Sequence, residues 1–441
     1  MTDMIAQAVA RSANVAEVAI GRGILAQTGA IYARNFTGPA CLFADTRGWA
    51  AAGRAVEAAL QAQGIGTRRH IIAATPRPKP TTDLADALGA VLRPGEVPVA
   101  IGSGVMNDVV KYAAFQRGIP YLCIATAASM DGYTSAGAPL SENGFKKTIP
   151  CRPARALIAD LDVICAAPPE MTGWGYGDLA GKVPAGGDWI IADALGIEAI
   201  DDAAWPMVQD GLGGWLDHPD RIRAADPAAI EGLFRGLTLV GLAMEAHGTS
   251  RPASGADHQI AHLWEMDDLH HDGQRVSHGA CVAVGCVATL RMYDWLLAAP
   301  RQFDPDRPAT PMAAKVAEIR MAFGGGEIAD RAIAETEAKH VEGAALRDRV
   351  RLLNAVWPSL SDRLGARLMP AAQMARALAT AGAPKEAAEI GVSRDYLHAT
   401  ILKARFLRSR YTVLDLLDET GLLPQAALAG LGPAQTQKVG R

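Results

Sequence analysis

The six cysteines of this chain include no Cys-x-x-Cys pair and are scattered through apolar stretches. This argues against a zinc ribbon, a thioredoxin-type redox site and a disulfide framework. Excess charge of one sign is also scarce, because 43 basic and 47 acidic residues give a formal net charge of -4. The chain therefore has no general electrostatic attraction to nucleic acid or to an anionic membrane. No long apolar run follows a basic start, so we expect a cytoplasmic protein without membrane insertion, with reduced thiols.

What is present is the composition of an ordinary folded protein, with 49% hydrophobic residues in a chain of 441. This length predicts about two or three domains. The first part alternates short apolar runs with helical patterns. We predict strands over residues 40–44, 70–74, 97–101 and 121–125, and helices over 49–63 and 107–117. This alternation predicts a parallel sheet, and ligands of such sheets bind at the carboxyl ends of the strands.

The pattern changes near residue 165, after which long Ala- and Leu-rich helical segments dominate. We therefore predict two domains. Residues 1–165 form an α/β domain with an atypical, Rossmann-like parallel sheet. Residues 166–441 form an all-α domain, and a cleft lies between the two domains.

Three histidines carry the strongest chemical pattern in the chain. His258 and His262 are four residues apart, so they share one face of a predicted helix. His278 precedes an apolar run that predicts a buried helix, and upstream Asp178 lies among small residues that allow another group to come close. One Asp with two His suits a divalent metal and leaves a coordination position for substrate. The alternatives are capping or surface histidines and a turn aspartate.

Two further segments lie where predicted strands end. Residues 102–108 form a Gly-Ser-Gly turn before a helix, and the exposed amides and the helix dipole can hold a pyrophosphate. A tight turn without a ligand explains this pattern about as well, and Asn107 replaces the third glycine of the dinucleotide fingerprint. Residues 126–135 collect hydroxyl groups and Asp131 after the next strand, where a solvent-exposed turn is the alternative.

Taken together, these segments resemble the glycerol-1-phosphate dehydrogenases, a branch of the superfamily of iron-containing alcohol dehydrogenases, glycerol dehydrogenases and 3-dehydroquinate synthases. The resemblance runs from about Asp45 to Gly421. The motifs that carry it are Gly102-Ser103-Gly104 with Asn107-Asp108, Thr126 to Gly132, Ile158 to Asp162, Gly177 to Lys182, Arg251 to His258, His278-Gly279 and Ser409 to Leu417.

The resemblance implies that residues 1–165 bind the dinucleotide, that residues 166–441 bind metal and substrate, and that the active site lies in the cleft between them. It also implies specific site residues. Asp178, His258 and His278 would hold one divalent metal ion, with zinc favoured and nickel and iron as the other candidates. Asp131 and His262 would be catalytic, and these two together with Asp178 would face the substrate. The residues implied to bind NAD or NADP are Asp45, Gly104, Val105, Met106, Asn107, Asp108, Thr126, Ala127, Ala128, Ser129 and Ser135.

The implied activity is an NAD(P)- and metal-dependent dehydrogenase that interconverts sn-glycerol 1-phosphate and dihydroxyacetone phosphate, as in phospholipid metabolism. Its partner would be a small phosphorylated polyol or ketone, without nucleic acid, and the choice between a monomer and a homo-oligomer stays open. The candidates for holding the phosphate are Lys146, Lys147, Lys182 and Arg251. Three alternatives stay open: a cyclase or lyase of the dehydroquinate synthase type, a dehydrogenase of an unphosphorylated polyol such as glycerol, and a catalytically silent binding protein.

Overall fold

A six-stranded parallel β-sheet forms the centre of one of two units in the computed structural model, which describes residues 4–142 and 145–433. The strands among these residues are β1 (Glu17–Gly21), β2 (Ala40–Asp45), β3 (Thr67–Ile72), β4 (Val97–Gly102), β5 (Leu122–Ala125), β6 (Gly137–Glu142), β7 (Phe145–Pro150), β8 (Ala156–Asp160), β9 (His270–His271) and β10 (Gln274–Arg275). The sheet order is β1-β8-β5-β4-β2-β3, and all of its neighbouring strands are parallel. The predicted parallel sheet is therefore confirmed.

Along the sequence, the helices of the described residues alternate with the strands of this sheet or follow them. In chain order they are α1 (Met4–Arg11), α2 (Thr28–Asn35), α3 (Thr46–Gly48), α4 (Arg54–Ala62), α5 (Thr82–Val91), α6 (Gly104–Gln116), α7 (Leu161–Cys165), α8 (Pro169–Ala180), α9 (Lys182–Ala194), α10 (Ala204–Gln209), α11 (Leu212–Leu216), α12 (Pro219–Arg223), α13 (Pro227–His247), α14 (Ala256–Met266), α15 (His278–Leu297), α16 (Met312–Phe323), α17 (Glu327–Glu337), α18 (Gly343–Arg367), α19 (Ala371–Ala381), α20 (Arg394–Ala404), α21 (Val413–Glu419) and α22 (Leu423–Gly430). Short 3-10 turns lie at Ile24–Gln27 and Ala387–Ile390, and a π-helical turn at Trp49–Gly53 joins α3 to α4.

The central strands form because their residues are apolar on both faces. Every residue of β4 and β5 is buried, as is all of β2 except Asp45, which is typical of a parallel sheet covered by helices. Leu42 and Val99 belong to the resulting hydrophobic core, where each such side chain contributes about 1.5–3 kcal/mol on burial. Because the strands are parallel, their carboxyl ends at Asp45, Gly102 and Ala125 meet along one edge.

The predicted strands and helices of this region exist, with different ends. β3 begins at residue 67 instead of 70 and stops at Ile72, whose partner Asp45 is the last residue of β2. Residues 73 and 74 therefore leave the sheet when the neighbouring strand ends. α6 begins at Gly104, three residues earlier than predicted, because the Gly-Ser-Gly turn leads directly into the first helical turn. The prediction did not include β1 and β8.

The two compact units interleave along the sequence. The first contains the described residues up to Leu179, with Asp201–Ala253 and Thr380–Ala383. The second contains Ala180–Ile200, Ser254–Ala379 and the described residues from Pro384 onward. The predicted α/β region and helical region are both present. The division of the chain at residues 165 and 166 stays a prediction.

Among the described residues, two helices are apolar enough, by length and composition alone, to cross a membrane. They are α13 and α15, with 61% and 78% of their most apolar windows buried inside the folded protein. Helices that are apolar on all sides also occur in the cores of large proteins. Burial within the fold thus explains the composition of both helices.

All six cysteines lie among the described residues, and all are free thiols. Five are buried and Cys165 is partly exposed. Burial raises the pKa of Cys41 and of Cys151 to about 11, so these thiols are protonated at neutral pH. The buried cysteines act as small core residues, as their apolar sequence context predicted.

Candidate functional site

Three histidines lie together in the second unit. His258 and His262 are one turn apart on α14, and His278 is the first residue of α15. Their ring centroids are 5.4 Å apart for His258 and His278, 6.0 Å for His258 and His262, and 5.9 Å for His262 and His278. The predicted helices, and the shared face of the first two histidines, are therefore present. The third histidine joins them through packing of α15 against α14.

Specific contacts fix where these two helices begin. The hydroxyl of Ser277 accepts a hydrogen bond from the Ala280 N–H and caps α15. The fully buried carboxylate of Asp188 accepts the N–H of Ala256 at 2.7 Å, at the start of α14. Helix α15 approaches α14 so closely that a Cβ on Gly285 would lie 2.4 Å from the Asp257 carbonyl oxygen. Only glycine permits this approach, which holds the histidines at their short separations.

Two buried carboxylates hold the rings of His258 and His278. Asp257 Oδ2 lies 2.6 Å from His258 Nδ1, and Glu265 Oε1 lies 3.2 Å from His278 Nδ1. A carboxylate at Nδ1 favours the tautomer with the proton on that nitrogen, which leaves Nε2 as an electron-pair donor. Both imidazoles are thus prepared to bind a metal ion through Nε2.

Asp257 and Glu265 were not identified as site residues from the sequence. Asp257 immediately precedes His258, and Glu265 follows it by seven residues, which returns to the same helix face after two turns. An acidic residue on an otherwise buried helix was the signal that could have identified them. Their partners could not be predicted, because the pairing of Glu265 with His278 depends on how α15 packs.

A ligand set that the sequence did not predict lies in the second unit and shares His278 with the predicted set of Asp178, His258 and His278. Single ligand atoms of His262, Glu265 and His278 all lie within 4.8 Å of one another. Carboxylate and imidazole donors at such separations suit a divalent ion. Because His278 belongs to both arrangements, the role of His262 needs a direct test.

Lys182 lies beside the histidines. Its side chain is fully buried at the start of α9, and its Nζ is 3.5 Å from Nε2 of His258. The ammonium group of Lys182 therefore adds a buried positive charge beside His258.

In the first unit, the Gly-Ser-Gly turn joins β4 to α6. The first N–H groups of a helix have no partner within it, and here they belong to Gly104, Val105 and Met106. Gly104 and Val105 are partly exposed, so a ligand can reach their backbone. A Cβ on Gly104 would lie 2.9 Å from the terminal methyl of Met130. Glycine therefore keeps this helix end open and leaves space for the Met130 thioether.

Several of the predicted cofactor residues direct their side chains to the interior. Asn107 and Asp108 are buried, and the Asn107 amide donates to Asp108 Oδ1 at 3.1 Å. The Ser135 hydroxyl donates to the Gly132 carbonyl at 3.1 Å. These three side chains stabilise the turn and the following loop. The side chain of Asp45 caps α3 by accepting the Gly48 N–H at 2.6 Å.

The loop after β5 brings two predicted acidic residues together within the first unit. Residues 126–128 are buried, Ser129 and Asp131 are partly exposed, and the Tyr133 hydroxyl donates to the Ala127 carbonyl at 2.7 Å. The N–H of Asp131 donates to Oδ2 of Asp178 at 3.0 Å. Asp178 is fully buried in the last turn of α8, two residues before the second unit begins.

Comparison with known proteins gives consistent results. The family profile described as iron-containing alcohol dehydrogenase matches residues 19–168. A glycerol-1-phosphate dehydrogenase [NAD(P)+] from Bacillus licheniformis is 33% identical over 350 residues, which cover 79% of this chain and 74% of that protein. A protein of the same name from Bacillus velezensis is 32% identical over 383 residues, covering 86% of this chain and 85% of that protein.

The solved structures show the same fold. The structure of glycerol dehydrogenase from Schizosaccharomyces pombe matches with a TM-score of 0.60 and 16% sequence identity. The match covers 94% of this chain and 90% of that one. At this level of identity the similarity concerns the fold and carries no information on substrate.

Proposed function

The chain belongs to the family of glycerol-1-phosphate dehydrogenases, within the iron-containing alcohol dehydrogenases, and we propose that it interconverts sn-glycerol 1-phosphate and dihydroxyacetone phosphate. The reaction uses NAD or NADP and a divalent metal ion. The observation that carries this proposal is the pair of histidines, His258 and His278, each held at Nδ1 by a buried carboxylate. This arrangement has the chemistry of a metal centre and lies on residues that the family resemblance had assigned.

The proposed ligands are Asp178, His258 and His278. Two neutral imidazoles and one carboxylate suit zinc best, with nickel and iron as the other candidates. The buried carboxylates of Asp257 and Glu265 support the assignment, because residues of this kind orient metal-binding histidines. A bound divalent ion supplies a Lewis acid that lowers the pKa of a substrate hydroxyl and polarises the corresponding ketone.

For the dinucleotide, the proposal uses the first N–H groups of α6, at Gly104, Val105 and Met106, to hold the pyrophosphate. The loop from Thr126 to Ser129 follows β5 at the carboxyl edge of the sheet, where dinucleotides bind in open α/β folds. The nicotinamide supplies the hydride chemistry.

His262 and Asp131 are the proposed proton carriers. Both side chains are partly exposed, so substrate or water can reach them. An imidazole can accept a proton in oxidation and return it in reduction. Asp131 would act from the loop whose backbone N–H binds Asp178.

The substrate phosphate requires a cation or amide donors. Lys182 and Arg251 are both almost completely buried, and the Lys182 ammonium lies beside His258. We therefore place Lys182 first among the predicted phosphate candidates. The side chains of Lys146 and Lys147 lie outside the described residues.

The direct test is to follow NADH oxidation with dihydroxyacetone phosphate and determine the product enantiomer. We expect sn-glycerol 1-phosphate, with no comparable turnover of unphosphorylated dihydroxyacetone. Formation of the sn-3 enantiomer would contradict the proposed stereochemistry. A sugar phosphate consumed without net change in NADH would indicate a cyclase or lyase.

Replacing Gly104 by valine is expected to weaken NAD(H) binding by at least tenfold, which corresponds to about 1.4 kcal/mol. The added side chain covers the amides at the start of α6 and displaces Met130. Fluorescence titration of NADH measures the effect. Gly66→Val is a matched control in the same unit, since a Cβ there meets only Pro39 at an ordinary 3.6 Å. An unchanged titration with folded Gly104→Val would contradict the phosphate assignment.

Replacing Asp257 by asparagine or Glu265 by glutamine is expected to weaken metal binding by about 10- to 100-fold. Each change keeps the shape but removes the negative charge that holds the imidazole proton on Nδ1. Competition with a chromogenic chelator measures the affinity of the metal-free protein for zinc. Glu386→Gln, which disrupts an ion pair with Arg291 in the same unit, is the control and should bind zinc normally. Equal affinities in all variants would count against orientation by these carboxylates.

A further inference from the structure

Lys111 is a fully buried lysine in the middle of α6, seven residues after Gly104. Its neighbours Val109 and Val110 are buried apolar residues, as expected for a helix packed on a sheet. A buried ammonium is costly unless it is compensated by hydrogen bonds and opposite charge. Its partners therefore reveal what this position does.

Three backbone carbonyls surround the ammonium group. Nζ of Lys111 donates to the carbonyl oxygens of Gly132 at 2.7 Å, Gly137 at 2.9 Å and Ser135 at 3.1 Å. A lysine has three N–H donors, so these carbonyls match its full capacity. Oδ1 of Asp108, one turn earlier on the helix, lies 3.6 Å from Nζ and supplies the opposite charge. Lys111 thus joins α6 to the loop that follows β5.

The carbonyl of Gly132 receives a second donor from the same helix. The side-chain amide of Asn107 donates to it at 3.3 Å, and the Asn107 oxygen accepts the hydroxyl of Tyr121 at 3.0 Å. A Cβ on Gly132 would lie 2.7 Å from the sulfur of Met130, so a side chain here would require Met130 to move. Two side chains of α6, those of Lys111 and Asn107, thus hold the loop at the Gly132 carbonyl.

Gly132 directly follows Asp131, whose N–H donates to Oδ2 of Asp178 at 3.0 Å. One short segment, Asp131-Gly132, is thus held by α6 on one side and holds the Asp178 carboxylate on the other. A hydrogen bond to Oδ2 restricts the rotation of that carboxylate. All of these groups lie in the first unit.

We propose that Lys111 is a positioning residue, which sets the orientation of the Asp178 carboxylate and of the Asp131 side chain through the Asp131-Gly132 segment. The inference rests on the proposed function, because it takes Asp178 as a metal ligand. Lys111 touches neither metal nor substrate in this arrangement. Lys111 connects α6, whose first turn is proposed to bind the dinucleotide, to the Asp131-Gly132 segment, which hydrogen-bonds to Asp178.

The physical reason is the small tolerance of a metal site. Residues that orient ligands affect metal affinity or activity by about 10- to 100-fold, although they do not contact the ion. Without the ammonium, the carbonyls of Gly132, Ser135 and Gly137 lose their shared charged donor, and Gly132 keeps only the weaker neutral donors of Asn107 and Ser135. The Asp131-Gly132 segment is then held less firmly against α6, and the Asp131 N–H can move away from Asp178. The start of α6 lies two turns from Lys111, so the amides of Gly104 and Val105 stay where they are.

The test compares Lys111→Met, which removes the donors at similar length, with Lys111→Gln, which keeps two N–H donors without the charge. The zinc affinity of metal-free protein is measured by chelator competition, and kcat and KM for NADH are measured on the zinc-loaded protein. We expect Lys111→Met to bind zinc at least tenfold more weakly and to lower kcat, with KM for NADH within about twofold of the wild type. The zinc affinity and kcat of Lys111→Gln should lie between those of the wild type and those of Lys111→Met.

Val110→Ala is the matched control, because this adjacent residue of α6 is fully buried and its loss destabilises the same helix. It should lower the melting temperature while zinc affinity and kcat stay normal. Zinc affinity in the lysine variants equal to that of Val110→Ala would overturn the inference, and if Lys111→Met does not fold, Lys111→Gln decides the question. Wild-type protein that binds no divalent metal would instead overturn the proposed metal centre, and the inference with it.

Discussion

We expect the replacement of His258 by alanine to remove the proposed metal ion and abolish turnover, while the chain still folds. The change deletes one of two imidazoles whose Nδ1 is held by a carboxylate, and a site left with a single histidine does not retain zinc well. It also leaves the buried Asp257 carboxylate without this partner, which costs about 1–3 kcal/mol of stability. The expected result is loss of stoichiometric metal in elemental analysis, loss of turnover and a lower melting temperature.

The control is His270→Ala, because His270 is exposed on the β9-β10 hairpin and lies outside the cluster. This variant should keep the metal, the turnover and the melting temperature of the wild type. A metal-free His258→Ala protein with full activity would show that the reaction does not need this centre. Full metal content in His258→Ala would assign the ion to other ligands, such as the overlapping set of His262, Glu265 and His278.

Replacing His262 by alanine leaves the metal and NADH bound but lowers turnover by about 10²- to 10⁴-fold, the usual range for a positioned acid or base. His262 lies one turn beyond His258, with ring centroids 6.0 Å apart, and its side chain is partly exposed. Its side chain is therefore accessible to a substrate, as the proposed role as proton carrier requires. Metal content, NADH titration, melting temperature and turnover are measured on one preparation.

Three outcomes separate the roles of this residue. Retained metal with lost turnover supports a proton carrier. A lower melting temperature with nearly normal turnover in the folded fraction indicates a packing role. Lost metal in both His262→Ala and Glu265→Gln identifies the overlapping ligand set as the one that holds the ion, which overturns the proposed division between His258 and His262.

The fold could be predicted from the sequence wherever a local pattern was strong. The apolar runs of β2, β4 and β5 predicted buried strands, and their alternation with helices predicted the parallel sheet. The strands β1 and β8 were not predicted from the sequence. They pair with each other, Val18 opposite Leu157 among others, so these two strands depend on a contact across some 139 residues of chain.

The candidate site divides in the same way. The sequence predicted the shared helix face of His258 and His262, because helical periodicity relates residues four apart. It did not predict that Glu265 would hold His278, or that Lys111 would hold the loop at Gly132. Each of these contacts requires two elements to pack at a particular distance, which local periodicity does not encode.

By itself, the sequence determined the fold class, the order of the motifs along the chain and the residue types available for chemistry. Apolar periodicity and turn residues act within a few positions, so they specify which segments become strands and helices. Only the tertiary structure determined which side chains form hydrogen bonds in the interior, as those of Asn107 and Ser135 do. It also determined which carboxylate hydrogen-bonds to which imidazole. The reason is that buried polar groups must find partners, and those partners are set by the packing of distant segments.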